Sequence, residues 1–415
     1  DEVMRSTLSH EHNLSFSGST GQTSYRGSAS YFDQEGLLQS TGLERITGRI
    51  NASHTALDDR LRLNLRLFRS YLERNHSFRQ ETGGGTGGSV IKDMLTFPPN
   101  RPVQQNGAFF EYAEQNRNPV AMLEQISDVS NQNRTLGNLD LQFDLLDNLT
   151  VEGTFSTDLS EGQRRPYVPI ASAVGRDVGG IGRQAEREFQ SFVTQSLVTY
   201  DRDALSLFGL EHSVRLLGGF EFERETFQTI GVETQDFVTD AVPGFNNLGG
   251  GSNVQTPSSG KEQVDQVSFF GQFNYNYQDK YLVTASLRRD GSSVFGERDK
   301  FALFPSASLG WNVAQEPFLD VQGLSQLKLR VSGGVSGNQG VPPLQTLPVL
   351  TASRGNAGVF GADNEVIGVA QTRTASPGLK WEETTELNVG VDFTAGRFSG
   401  TVDYYRSQTE DLLLN

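Results

Sequence analysis

With 415 residues and a formal charge of −15, the chain is long enough for a large barrel or two to three ordinary domains, and too acidic to suggest nucleic acid as a partner. It holds no cysteine, which excludes disulfides, thiolate zinc sites and cysteine nucleophiles. Only 35% of residues are hydrophobic and none of the apolar runs reaches about 18 residues, so membrane helices are excluded; a membrane β-barrel escapes that test because its lumen-facing half is polar.

The chain opens on Asp1-Glu2-Val3, neither basic nor apolar, and closes on Asp411-Leu412-Leu413-Leu414-Asn415. Those ends suggest an internal piece of a longer protein. His12 to Gly18 reads as a short strand, followed by a turn at Thr20-Gly21-Gln22. Alternation resumes over Tyr25 to Phe32 and Ile46 to Ala56, and Leu57-Asp58-Asp59 makes a tight turn. Leu61, Leu63, Leu65 and Leu67 then alternate with Arg62, Asn64 and Arg66. Four leucines spaced by two would wrap all round a helix, so the spacing predicts a strand.

From Asn75 to Asn131 the alternation stops. Gly83 to Gly88, Pro98, Pro99, Pro102 and Pro119 punctuate a long loop, with a short helical turn expected over Leu123 to Ser127. A hairpin follows over 139–145 and 149–155, then a loop over 160–185, strands over 187–201 and 210–230, and a glycine-rich loop over 231–260. Three alternating runs occupy 269–277, 281–288 and 301–313, with Tyr275, Tyr277, Tyr281, Trp311 and Phe318 gathered at their ends. A strand over 327–335, a loop of about 45 residues and a hairpin over 387–393 and 398–404 complete the chain.

Side chains alternate across a strand, so each run makes a ribbon with one greasy and one wet face. A soluble antiparallel sheet alternates in the same way, but it has no reason to sort its connections. Here short turns at 57–59, 146–148, 202–209, 278–280 and 395–396 alternate with long loops at 75–130, 160–185, 231–261 and 338–381. A membrane barrel with two unequal rims produces that order, and terminal aromatics suit its interfacial girdles. The fold class expected is all-β: an antiparallel transmembrane β-barrel of about 13 strands with long extracellular loops. Residues 11–18 run against the parity of that count and are set aside as the tail of a preceding domain.

Enzyme chemistry finds no signal. His10 and His12 share a face if their segment is a strand, which suits a polar strand end better than a metal site. Gly83 to Gly88 lacks the Lys-Ser/Thr of a phosphate loop, and Glu221 and Glu223 read as neighbours on the lumen wall. Binding is better supported: Phe109, Phe110 and Tyr112, with Asn116 and Asn118, place aromatic platforms beside amide hydrogen-bonders, a mixture that suits sugar or peptide recognition. The alternative is that they form the loop's own small core. No cofactor is expected; Asp236, Asp240, Asp363 and Glu365 are the loop carboxylates that would hold calcium if any did.

An ordered set of short motifs carries a resemblance. They are His12 to Gly18, Met94-Leu95-Thr96-Phe97-Pro98-Pro99, Asn118-Pro119-Val120-Ala121, Leu287 to Ser293, Phe304-Pro305-Ser306-Ala307, Gly333 to Gln339 and Leu379-Lys380-Trp381-Glu382. In this order they resemble the SusC/RagA family of TonB-dependent outer-membrane transporters. The resemblance implies a 22-stranded plugged barrel. Residues 1–22 would be the end of the plug or the plug–barrel junction, and 23–415 the N-terminal part of the barrel, without plug, TonB-binding box or C-terminal strands. It further implies import of oligosaccharide or peptide across the bacterial outer membrane, in contact with its lipid. The partners would be a SusD-like surface lipoprotein and a TonB-ExbB-ExbD motor acting through the plug. A TonB-dependent siderophore or vitamin receptor is the alternative within the membrane class, and a soluble β-sandwich adhesin or carbohydrate-binding module the alternative outside it.

Overall fold

The computed structural model describes residues 2–78, 89–112, 116–207, 210–319, 321–360 and 364–413. Gly83 to Gly88 and Asp363 lie outside these residues, as does the side chain of Glu365.

The first alternating stretches fold as β1 (Ser9–Thr20), β2 (Thr23–Glu35), β3 (Gly42–Ala56) and β4 (Leu61–Asn75). The loop that follows holds helix α1 (Val90–Thr96), the two-residue strands β5 (Gln104–Gln105) and β6 (Ala108–Phe109), and helix α2 (Pro119–Gln125). Next come β7 (Ser127–Leu146), β8 (Leu149–Val168), β9 (Ile181–Leu207), β10 (Leu210–Phe237) and the short β11 (Gly251–Val254). The last third supplies β12 (Ser258–Tyr277), β13 (Tyr281–Ser292), β14 (Phe301–Asn312) and β15 (Leu324–Asn338). A loop hairpin, β16 (Val349–Phe360) and β17 (Asn364–Arg373), precedes β18 (Glu382–Ala395) and β19 (Phe398–Glu410).

One 15-stranded sheet contains all of these except β5, β6, β16 and β17, and apart from β11 its strands neighbour each other in chain order. It is an antiparallel meander. The sheet exceeds the expected count chiefly because Ser9–Thr20, set apart in the sequence reading, is paired with β2 along its whole length.

Register turns the separate ribbons into two continuous faces. Leu216, Phe273, Ala285, Ala307, Gly333 and Leu387 lie in one row across six strands. Farther back, Phe16, Gly27, Ile50, Leu67 and Gly137 form another. Among the described residues no second layer covers these side chains: Leu65, Leu216, Leu287, Leu309 and Val389 are all exposed. In water such a face would cost roughly 25 cal/mol for every Å² left bare. A lipid environment removes that cost, whereas a sandwich would have required a facing sheet.

The height of the face agrees. On β4 it runs from Leu61 to Tyr71, about ten residues or roughly 33 Å of strand, which at a tilt near 40° stands about 25 Å tall. Aromatic rings mark both borders. Tyr31 and Tyr71 lie at the upper one, joined through Ile46 in register. At the lower, Tyr277, Tyr281, Trp311 and Phe318 follow one another at ring spacings of 6.0, 6.5 and 6.4 Å. Glu316 anchors that lower belt, accepting from the Tyr281 hydroxyl at 2.5 Å and from Trp311 Nε1 at 3.1 Å.

Most turns sort by rim as expected, although the turn read at 202–209 is strand as far as Leu207 and the β14–β15 connection over 313–323 is long; several have the left-handed residues a tight hairpin needs: Gln278 (φ 51°) and Asp279 (φ 54°) between β12 and β13, and Gly396 (φ 60°) between β18 and β19. The loop boundaries differ from expectation. β8 runs on to Val168, β9 begins at Ile181, and β10 continues to Phe237, so much of 160–185 and 231–261 is strand. These upper ends stand above the lipid, where both faces meet water, and alternation therefore vanishes while pairing continues. The 338–381 loop contains the β16–β17 hairpin, and α1 lies in a stretch read as loop. The expected helical turn sits four residues earlier, at Pro119–Gln125. Proline at the first helical position and Asn118 as its cap explain why the helix starts there.

Among the described residues, the two clusters of buried apolar side chains lie at the long-loop rim. One joins Val3, Phe78, Val90, Val120, Met122, Leu123, Val168 and Val174 from four separate segments. The second is Phe295, Phe304 and Trp381.

Candidate functional site

The face opposite the lipid is a polar wall, and its charges are largely paired across strands. Arg62 meets Asp144 at 2.9 Å, Arg66 meets Asp140 at 3.1 Å, and Arg134 meets Asp158 at 2.7 Å. Farther round, Arg288 bridges Glu221 (3.2 Å) and Asp290 (2.7 Å), and Arg330 bridges Asp392 (2.8 Å) and Asp403 (3.1 Å). Arg62, Arg66, Arg134 and Arg330 each reach a neighbouring strand, while Arg288 reaches across β12 to Glu221 and along β13 to Asp290, so the pairs brace the wall while its surface stays hydrophilic. Glu221 is thus a wall residue, as its parity predicts.

Above the lipid the wall opens into two adjoining grooves of about 470 Å³ each, sharing Arg164, Pro166 and Arg183. The lower is lined by His76, Arg187, Phe189 and Phe227, the two phenylalanines lying directly opposite each other in the β9–β10 ladder. The upper is closed by Phe78, Val168 and Val174, which also belong to the loop core. Arg164 grips buried Asp128 with two bonds, of 2.9 and 2.6 Å. His76 donates its backbone N–H to the Asp128 carbonyl at 2.8 Å, and its ring shares a hydrogen with Ser130 Oγ at 2.7 Å. Burial pushes the His76 imidazole below its ordinary value, against the pull of Asp128.

The loop residues singled out in the sequence do not line these grooves. Phe109 packs against the loop core, Phe110 and Asn116 are half-buried, and Tyr112 is exposed with the Arg101 guanidinium 5.4 Å over its ring. Asn118 is 1% exposed and fully engaged. Its Oδ1 accepts from the N–H groups of Val120 (3.1 Å) and Ala121 (3.3 Å), and its Nδ2 donates to the carbonyls of Val103 (2.8 Å) and Phe110 (3.1 Å). These residues hold up the groove's roof. Beneath them, Asp93 is 1% exposed and neither carboxylate oxygen has a hydrogen-bond partner. Burial raises its pKa, only partly offset by Lys92 and Arg117.

Of the calcium candidates, Asp240 is a clamp between loops. Its carboxylate accepts from the Tyr167 hydroxyl (2.6 Å) and from the N–H groups of Ile170 (2.8 Å) and Ala171 (3.1 Å). Burial would raise its pKa, but these donors outweigh it and the net shift is downward. Asp236 has a left-handed backbone (φ 63°) and accepts from the Ser252 hydroxyl. Among the described residues, no group of three or more His, Asp or Glu is placed to hold a metal ion. The rings of His10 and His12 do share a face, 5.4 Å apart.

Several sequence motifs converge in the second core. Trp381 packs on Phe295 (5.0 Å) and Phe304 (5.5 Å) and donates Nε1–H to the Lys300 carbonyl at 3.2 Å. A side chain at Gly337 would collide with the Phe304 ring. Residues from three distant motifs thus form one rivet at the upper rim.

A bare apolar band bordered by aromatics, a polar inner wall and a loop-built vestibule define an outer-membrane β-barrel receptor. Residues 5–415 match the family described as TonB dependent receptor-like, beta-barrel, and the chain belongs to that family. It is 30% identical to TonB-dependent receptor P3 of Formosa agariphila, over all of this chain and 41% of that protein. With TonB-dependent receptor SusC of Bacteroides thetaiotaomicron it shares 28% identity, over all of this chain and 42% of that protein. The chain therefore spans about two fifths of the length of these relatives. Among solved structures, the RagAB peptide importer in its closed-closed state superposes with a TM-score of 0.79 at 22% identity, covering 99% of this chain and 45% of that one. The siderophore receptor PirA of Acinetobacter baumannii gives 0.53 at 13% identity, covering 99% and 51%. These likenesses are of fold.

Proposed function

We propose that the chain forms part of the wall and vestibule of a TonB-dependent importer of oligomeric nutrients, glycans or peptides, working with a SusD-like surface lipoprotein. One observation carries this reading: two adjoining grooves above the lipid, together far larger than a single sugar or amino acid needs, on a fold closer to a peptide importer than to a siderophore receptor. In this reading residues 1–22 are the plug–barrel junction, with β1 already in the wall. The lid lipoprotein closes on the long-loop rim, and a TonB-ExbB-ExbD motor acts through a plug. Where the wall charges are paired they let cargo pass without trapping it, because Arg134, Arg288 and Arg330 already hold carboxylates. Tyr112 and Arg101, exposed on the roof, are the loop groups best placed to meet cargo from outside.

The test is made on the full-length protein. A tag on it should retrieve a surface lipoprotein from detergent extracts in near-equal amount. Deletion of its gene should abolish growth on an oligomer but not on the corresponding monomer. Normal growth on oligomers with a defect confined to ferric chelates would replace this reading with that of a siderophore receptor.

A further inference from the structure

Near the upper border of the apolar band, arginines project toward lipid from strands that are paired on both sides. Arg69 on β4 lies between Gly48 and Thr135, Arg224 on β10 between Phe192 and Asp265, and Arg289 on β13 between Phe269 and Leu303. All three have the parity of the bare leucines and phenylalanines, so they stand on the outside of the barrel, away from any plug, and both flanking strands belong to this chain. Arg224 brings its own counter-ion, gripping Asp265 with two bonds of 2.8 Å. Arg69 and Arg289 make no ion pair among the described residues. Above Arg69 the same face carries Glu44 and Glu73. Arg289 has no such neighbours: the outward positions of β13 and β14 hold no Asp or Glu.

A guanidinium that faces hydrocarbon without a counter-ion is costly, and the cost falls as it nears the interface. Arg289 stands eight positions above Tyr281 (289 − 281), about 20 Å above the lower belt in a band roughly 25 Å tall. Its head group is carried higher still. The guanidinium lies 4.5 Å over the Phe301 ring, which belongs to the next outward row, opposite Gly291. Glycine is required there, because a side chain would collide with that ring. Glycine, ring and guanidinium form one stack, which fixes the plane of the cation and leaves its N–H edge open at the boundary between hydrocarbon and head groups. Below the stack, Phe269, Leu287 and Leu303 leave a bare apolar surface. At the strand ends above it, Gln263 and Ser293 are exposed.

We propose that the Gly291–Phe301–Arg289 stack binds the phosphate of an outer-leaflet glycolipid, an acylated amino sugar, from the side of the barrel. The fork of the guanidinium matches two phosphate oxygens and supplies the charge that the outward face of β13 and β14 lacks a partner for. The sugar lies at the border, beside the amide and hydroxyl of Gln263 and Ser293, and its chains run down over Phe269, Leu287 and Leu303. The bound lipid ties the barrel to one leaflet and fixes its depth. The proposal depends on the barrel's place in the outer membrane and on nothing in the importer reading.

The test uses the full-length protein in detergent, with a fluorescent phosphorylated lipid A as the probe. Unlabelled phosphorylated lipid A should displace it about tenfold better than dephosphorylated lipid A, phosphatidylglycerol or inorganic phosphate. Arg289→Leu should weaken probe binding about tenfold, and Arg289→Lys should retain part of it. Arg202→Leu, in the row of Val214 and Tyr275 at the lower belt, should leave it unchanged. Unchanged heat-modifiable mobility on gels checks that the variants fold. Equal displacement by dephosphorylated lipid A, or full binding by Arg289→Leu, overturns the proposal. Equal displacement by phosphatidylglycerol or inorganic phosphate overturns it in favour of any phospholipid or the free anion. Dissociation of a dimer in Arg289→Leu without loss of lipid overturns it in favour of a second copy of this chain.

Discussion

Substituting arginine along one strand measures the environment of each face directly. On β4, Leu65 lies about 10 Å above the Leu61 border of a band roughly 25 Å tall, close to the midplane. Its cross-strand partners are Ala52 and Leu139, so an arginine there finds no carboxylate or hydroxyl. Leu65→Arg in the complete barrel should therefore cost about 2–4 kcal/mol, and Leu61→Arg, at the border, about 0–1 kcal/mol. Asn64→Arg is the control. That side chain sits between Ser53 and Asp140 on the wet wall, and the cost should stay below about 1 kcal/mol. Leu63, between border and midplane, should fall between Leu61 and Leu65. The assay is reversible denaturant unfolding of the full-length protein in lipid vesicles, followed by tryptophan fluorescence. Equal costs at positions 64 and 65 would show that the faces are reversed or that lipid touches neither. Equal costs at positions 61 and 65 would refute the placement of the band.

Three further outcomes concern the loops. Asn118→Ala removes a helix cap and the side-chain donor to the Phe110 carbonyl, leaving the Val103 carbonyl only the Phe110 N–H, so the roof should lose about 2 kcal/mol of local stability, read as faster hydrogen exchange over 119–126 with the barrel unchanged. Asp240 has its pKa lowered in the fold, so its clamp should hold at neutral pH and weaken as pH falls below the ordinary carboxylate value. Proteolytic nicking of 169–180 should rise over that range, and Asp240→Asn should nick readily at every pH. Asp93 runs the other way: with a pKa raised by burial, it destabilises the fold increasingly as pH climbs above its unfolded value. Asp93→Asn should stabilise the roof at pH 8, by exchange over 90–96, and make no difference near pH 4.

The sequence by itself determined the strands and their faces wherever one side meets oil and the other water. Leu61 to Leu67 and Phe269 to Tyr277 could be assigned residue by residue, because that asymmetry writes a period of two into the chain. It also determined which connections are short, since tight turns demand residues such as Gln278-Asp279 and Ala395-Gly396 at fixed places. Where both faces are wet the asymmetry disappears. The upper ends of β8, β9 and β10 carry no period and were legible only as loop, although pairing continues there, interrupted on β8 only at Arg165 and Pro166.

Only the tertiary structure decided what sits beside what. Phe109 to Asn118 look like a binding platform in one dimension, and in three dimensions Asn118 is spent on the roof's own hydrogen bonds. Phe189 and Phe227 are 38 positions apart in the chain and opposite each other in the ladder (227 − 189). The arginines of β2, β3 and β4 appear scattered until register places six of the seven on one wall, with Arg69 on the other face. Periodicity is a local property, set by each residue and its solvent, whereas grooves and charged strips arise from pairing between strands. Pairing depends on register, and a slip of one residue would have carried every one of those side chains to the opposite face.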